Sequence, residues 1–240
     1  MSVILQIRNV SKNFGGLKAV DGVSFALDRG DIAALIGPNG AGKTTLFNLL
    51  GGVTQSDSGR IDLDGQDITA WPAHRRARAG VGRTFQIAAT FRSMSVIENV
   101  ETALMAAGQD TAGADALLRE VGIIDLARSA VTELAYGDVK RVELAMVLAA
   151  KPALLLLDEP TAGMAADERL RIMRMIAGLV AARGITVLFT EHDMDAVFGF
   201  ATRVLAMDQG KLIANSTPDA VRADIRVRRI YLGDEGDGDA

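Results

Sequence analysis

The sequence predicts an α/β fold: a core with a mostly parallel sheet, an N-terminal antiparallel β subdomain and an inserted helical subdomain. Three observations predict it. Residues 32–36, 153–157 and 185–189 are unbroken apolar runs, as expected of strands covered on both faces in a parallel sheet. A glycine-rich segment, residues 37–42, joins the first of these runs directly to a helical one. Between residues 95 and 150 the pattern becomes Ala-, Leu- and Glu-rich with helical periodicity, and no strand interrupts it.

In chain order, residues 3–10 and 19–27 are strand-like and are separated by the turn signal Gly15-Gly16. The turn Asp28-Arg29-Gly30-Asp31 leads into the strand at 32–36, and a helix runs through 46–50. After the helical insertion and the strand at 153–157 comes a helix over 166–183, with Arg169, Arg171 and Arg174 at polar positions. The strand at 185–189, two strand-like runs at 203–207 and 211–214 and a short helix near 217–223 complete the pattern. Residues 234–240 are acidic and glycine-rich and can bury almost nothing, so a disordered tail is expected there. The expected organisation is one domain over 1–233, its core formed by about 1–94 and 151–233 and its helical subdomain by about 95–150.

With 240 residues and 49% apolar content, the chain can bury a substantial core. Lys and Arg total 26 against 30 for Asp and Glu, a net charge of -4, which leaves no overall positive field to hold nucleic acid. A nucleic-acid partner is therefore not expected. Cysteine is absent, which rules out disulfides and fits a reducing compartment. The opening residues show no charged lead, apolar stretch and cleavage site, so the chain is expected in the cytosol. No apolar run approaches the roughly 18–20 residues needed to cross a bilayer, and any membrane role must come through partners.

The chemistry begins at Gly37-Pro38-Asn39-Gly40-Ala41-Gly42-Lys43-Thr44-Thr45, a P-loop between an apolar strand and a helix. The glycines let backbone N–H groups converge on phosphate oxygens, Lys43 reaches the β and γ phosphates, and the helix N-terminus adds its dipole. The Thr44 hydroxyl is the expected Mg²⁺ ligand. The plainer alternative, a tight glycine turn, does not account for the full motif in its strand-to-helix setting. The strand at 153–157 ends in Asp158-Glu159-Pro160, where a doubly wound sheet presents functional groups. Asp158 would hold Mg²⁺ through water, and Glu159 would orient and polarise the attacking water. Alone, such a pair reads as a solvated turn; beside a P-loop it becomes specific.

Between the two motifs lies Leu134-Ala135-Tyr136-Gly137-Asp138, a glycine turn opening an amphipathic helix. This segment resembles the signature motif of ABC ATPases, and the resemblance covers nearly the whole chain. It implies that Phe14 stacks on adenine, that Gln86 is the Q-loop glutamine and a Mg²⁺ ligand, and that His192 is the switch histidine sensing the γ-phosphate. Read alone, Phe14 would be core and Gln86 a capped loop residue; order and spacing favour the family roles. GTPases fit worse, because no guanine-reading Asn-Lys-x-Asp is present. His74 receives no role, Arg75, Arg76 and Arg78 read as a solvated helix face, and Met164, Met173 and Met175 as packing.

The resemblance further implies that Ala135, Tyr136, Gly137 and Asp138 of one subunit cap the γ-phosphate held by the P-loop of another, so that two ATP molecules join an identical or paralogous pair. The implied partners are transmembrane permease subunits and, indirectly, a periplasmic or external solute-binding protein, at the cytoplasmic face of the inner membrane. The stretches 80–86 and 91–100 and the ending 228–234 look like the branch that imports branched-chain amino acids, whose relatives include urea importers. ABC proteins acting on DNA or ribosomes carry coiled-coil insertions or two cassettes, which this chain lacks. A non-hydrolysing regulatory module is disfavoured by Lys43, Asp158, Glu159 and His192. Two positions depart from the family: Ala135 replaces the usual signature serine, and Ala165 replaces an aspartate or asparagine in the D-loop.

Overall fold

The computed structural model describes residues 2–84 and 89–232. Two sheets form the frame. Strands β1 (Val3–Phe14) and β2 (Leu17–Asp28) make a hairpin that continues through β4 (Ser58–Leu63) to β5 (Gln66–Asp67), all antiparallel. The second sheet has the order β10-β9-β3-β8-β7-β6, formed by β3 (Ile32–Ile36), β6 (Val81–Arg83), β7 (Leu154–Asp158), β8 (Thr186–Thr190), β9 (Arg203–Asp208) and β10 (Lys211–Ser216). Its pairs are parallel except the edge pair β9 and β10.

The apolar runs become central strands because both of their faces are covered. Along β3, Ile32, Ala34 and Ile36 enter one core while Ala33 and Leu35 enter the other, the two-residue alternation of a pleated strand. Strand β7 divides likewise, Leu155 and Leu157 against Leu154 and Leu156. One core lies between the two sheets and includes Leu46, Phe47, Leu49 and Leu50 of α1 (Lys43–Leu50). The other joins the opposite sheet face to α3 (Val96–Ala106), α4 (Ala114–Glu120), α5 (Tyr136–Leu148), α6 (Ala166–Arg183) and α7 (Met194–Phe200). Helices α8 (Pro218–Ala223) and α9 (Ile225–Leu232) end the described chain. Residues 96–148 form helices, short 3₁₀ turns and their connections with no strand among them, as the periodicity predicted.

One expectation is corrected here. The arginine-rich stretch forms α2 (Ala73–Arg78), yet Arg76 is among the most buried side chains of the molecule rather than part of a solvated face. The reason is hydrogen bonding: its guanidinium donates to the carbonyls of Leu49 and Leu50 at the end of α1, and to those of Thr69 and Trp71. Helix termini leave their last carbonyls without partners, and a five-donor planar cation can satisfy several at once. Burial pulls the Arg76 pKa down to about 10, against a weaker opposing pull from Asp67. Arg75, next along the helix, lies 3.8 Å over the Trp71 ring.

Candidate active site

A cavity of about 780 Å³ opens where the two sheets meet the start of α1. Its lining joins Phe14, Leu17, the segment from Asn39 to Thr45, Glu159 and His192, residues drawn from opposite ends of the sequence. The cradle is shaped by close approach. A Cβ at Gly37 would collide with the Met207 carbonyl, and one at Gly42, which has φ 100°, with the Ala19 carbonyl. Gly42 is also the N-cap of α1, so the free amides of this helix open into the cavity. Lys43 is buried, and its ammonium donates to the carbonyls of Gly37 (2.6 Å) and Pro38 (3.1 Å). Burial lowers its pKa, while the charges of Glu159 and Asp158 oppose that shift.

The carboxylates at the end of β7 differ in surroundings. Asp158 Oδ1 accepts from the Thr190 hydroxyl at 2.8 Å, and Oδ2 lies 3.9 Å from Arg83 Nη2. Arg83 also donates to Asn48 Oδ1 (2.8 Å) and the Phe47 carbonyl (3.2 Å), linking β7 to the P-loop helix. Glu159 adopts φ 49°, a left-handed conformation that L side chains seldom take and that surrounding structure must enforce. Its amide donates to Thr190 Oγ1 at 3.0 Å, and its Oε1 lies 3.0 Å from His192 Nε2. The Asp158 carboxylate and Thr44 hydroxyl are hard oxygen donors of the type Mg²⁺ prefers, so the residues present fit that ion.

Glu191, unnoticed in the sequence, is buried behind this pair. Its carboxylate accepts from the Thr161 amide (2.9 Å), the Thr161 hydroxyl (2.6 Å) and the His192 amide (3.2 Å), which ties the loop after Glu159 to the loop bearing the histidine. The only sequence signal was its place beside His192 at a strand end.

Phe14 is half exposed at the cavity rim instead of buried, as adenine stacking requires, with Leu17 exposed beside it. None of Ala135, Tyr136, Gly137 and Asp138 lines this cavity. Ala135 is the N-cap of α5 and offers no side-chain bond to its amides, and Tyr136 is exposed. Gln86 lies outside the described residues, as does the segment 234–240.

A family model described as ABC transporter matches residues 20–162. A probable ABC transporter ATP-binding protein of Azorhizobium caulinodans is 39% identical, covering 94% of this chain and 82% of its own length. The high-affinity branched-chain amino acid transport ATP-binding protein BraF of Pseudomonas aeruginosa is 36% identical, covering 96% and 98%. The lipopolysaccharide export system ATP-binding protein LptB of Escherichia coli is 38% identical with the same coverage. Among solved structures, an ATP-binding cassette of an ABC transporter in its ADP conformation superposes with a TM-score of 0.90 at 31% identity, covering 97% of this chain and all of the other.

Proposed function

We propose a working cycle that starts from one fact: the chain belongs to the ABC transporter family, as an ATP-binding and ATP-hydrolysing subunit. Adenine would stack on Phe14, the triphosphate would lie along residues 37–45, and Lys43 would meet the β and γ phosphates. Thr44, Asp158 and Gln86 would hold Mg²⁺, which would draw charge from the phosphates during transfer. Glu159 would accept the proton of the attacking water, and His192 would hold the carboxylate in place and sense the terminal phosphate. The observation that best supports this reading is the 3.0 Å contact between Glu159 and His192 at the mouth of the cradle. Glu159→Gln should bind ATP with unaltered affinity, and both it and His192→Ala should hydrolyse ATP about 10²–10⁴ times more slowly. Normal turnover in the Glu159→Gln protein would overturn the assignment.

The placing of Ala135, Tyr136, Gly137 and Asp138 away from the cavity supports a site completed by a second subunit. We read residues 1–233 as one such cassette, with 95–150 as its helical subdomain. Between this subdomain and α2 runs a groove of about 840 Å³, lined by Ala103, Ala106, Ala107, Met146 and Val147 with charged Arg78 and Glu143. It borders Ala89, just after the segment containing Gln86, and suits a short helix of a permease subunit at the cytoplasmic face of a membrane. Among the described residues no helix is long and apolar enough to cross a membrane. Import of a small amino-acid-like solute is the reading supported by BraF and by residues 80–86 and 91–100. Loss of branched-chain amino acid uptake on deletion would bear it out, and a lipopolysaccharide export defect would replace it.

A further inference from the structure

We propose that Glu168 and Arg169, adjacent in the first turn of α6, relay occupancy of the signature motif to the switch histidine of the same chain. The inference rests on the two-subunit site described above. Gly137 is buried although Ala135 and Tyr136 before it are exposed. On its open side lies the Glu168 carboxylate: a Cβ at Gly137 would collide with Glu168 Oε1 and Cδ. Ala135 supplies no capping oxygen, and the Glu168 carboxylate joins Asp138 of the first turn as an anion at the start of α5, a favourable position in the helix dipole.

The next residue faces the other site. Arg169 Nη1 lies 2.6 Å from Asp193 Oδ2, in a pair of half-buried side chains. Asp193 Oδ1 caps α7 by accepting from the Ala196 amide at 2.8 Å, and Asp193 directly follows His192. One helical turn thus lies against the start of α5 on one side and, on the other, against the neighbour of the histidine that lines the chain's own cavity. Ala165, the N-cap of α6, makes no side-chain bond that would fix this turn separately.

A γ-phosphate brought to the start of α5 by a second subunit encounters the Glu168 carboxylate. Two anions at one helix N-terminus repel each other, so Glu168 must withdraw. Because α6 is continuous, that movement reaches Arg169 and, through Asp193, the loop of His192. Hydrolysis at one site is then favoured only when the opposite site is filled.

The test uses full-length protein carrying Glu159→Gln, with Mg-ATP and light scattering to find the ATP concentration giving half-maximal dimer. Adding Glu168→Gln, which keeps the shape and removes the charge, should lower that concentration about two- to fivefold, the range for a single partly exposed charge contact. In the otherwise unaltered chain, Arg169→Gln should leave the ATP requirement for dimerisation unchanged and reduce kcat about tenfold at constant KM, with partial rescue by Arg169→Lys. An unchanged ATP requirement in Glu168→Gln, or unchanged kcat in Arg169→Gln, overturns the relay while the two-subunit site stands. Failure of the Glu159→Gln protein to dimerise, alone or with its paired ATPase subunit, overturns both.

Discussion

Glu159 is held at φ 49°, where a non-glycine residue costs of order 1–3 kcal/mol and persists because Thr190 and Glu191 fix the neighbouring backbone. Glu159→Gly should therefore abolish turnover without the stability loss usual for a change to glycine, with ΔG of unfolding unchanged or raised by up to about 1 kcal/mol in urea titrations. A loss larger than about 1 kcal/mol would contradict the strain. Lys43 has a different role. Its buried ammonium is engaged by two cradle carbonyls, which hold it in the place that the proposed phosphate site requires. Lys43→Ala should weaken ATP binding at least tenfold, since a charge-assisted hydrogen bond contributes about 1.5–3 kcal/mol, and equilibrium titration with a fluorescent ATP analogue would measure it. Motif and spacing pointed to Lys43, Glu159 and His192, which line one cavity, and to Asp158 next to Glu159. The strain at Glu159 and the buried brace of Glu191 were not readable, because both depend on strands β7 and β8 lying side by side.

Among the elements, the strands buried on both faces were readable because their apolar runs are uninterrupted, and β3 spans the expected residues. Strands β4 and β6 escaped notice for physical reasons. Only Ile61, Asp62 and Leu63 of β4 are buried, and β6 has three residues, including Gly82, whose missing side chain lets Val147 and Leu155 pack closely. Helix α2 hides its main function in Arg76, which resembles its exposed neighbours in sequence but caps α1 in space. Arg76→Leu should lower stability by about 2–4 kcal/mol, because several buried carbonyls lose their donors, and calorimetry should show the fall without nucleotide. At α5 the uncapped N-terminus invites the converse change. Ala135→Asp should change the stability of the free chain by less than about 1 kcal/mol, because its N-cap bond is offset by repulsion from Glu168 and Asp138, yet place a negative charge where the proposed two-subunit site would seat the partner's phosphate and so block ATP-driven dimerisation.

For the whole molecule, the proposed mechanism asks each chain for two half-sites: the cavity lined by Lys43, Glu159 and His192, and the start of α5, whose residues 135–138 lie off that cavity. On that reading, ATP contributes to pairing free energy only in a closed pair, where its charge would meet both. The measurement that tests this most directly is light scattering of the Glu159→Gln protein, alone and mixed with the second ATPase subunit of its transporter. Dimers in Mg-ATP that revert to monomers in Mg-ADP are the predicted result. Protein that binds ATP yet remains monomeric in both samples would contradict a site shared between two chains.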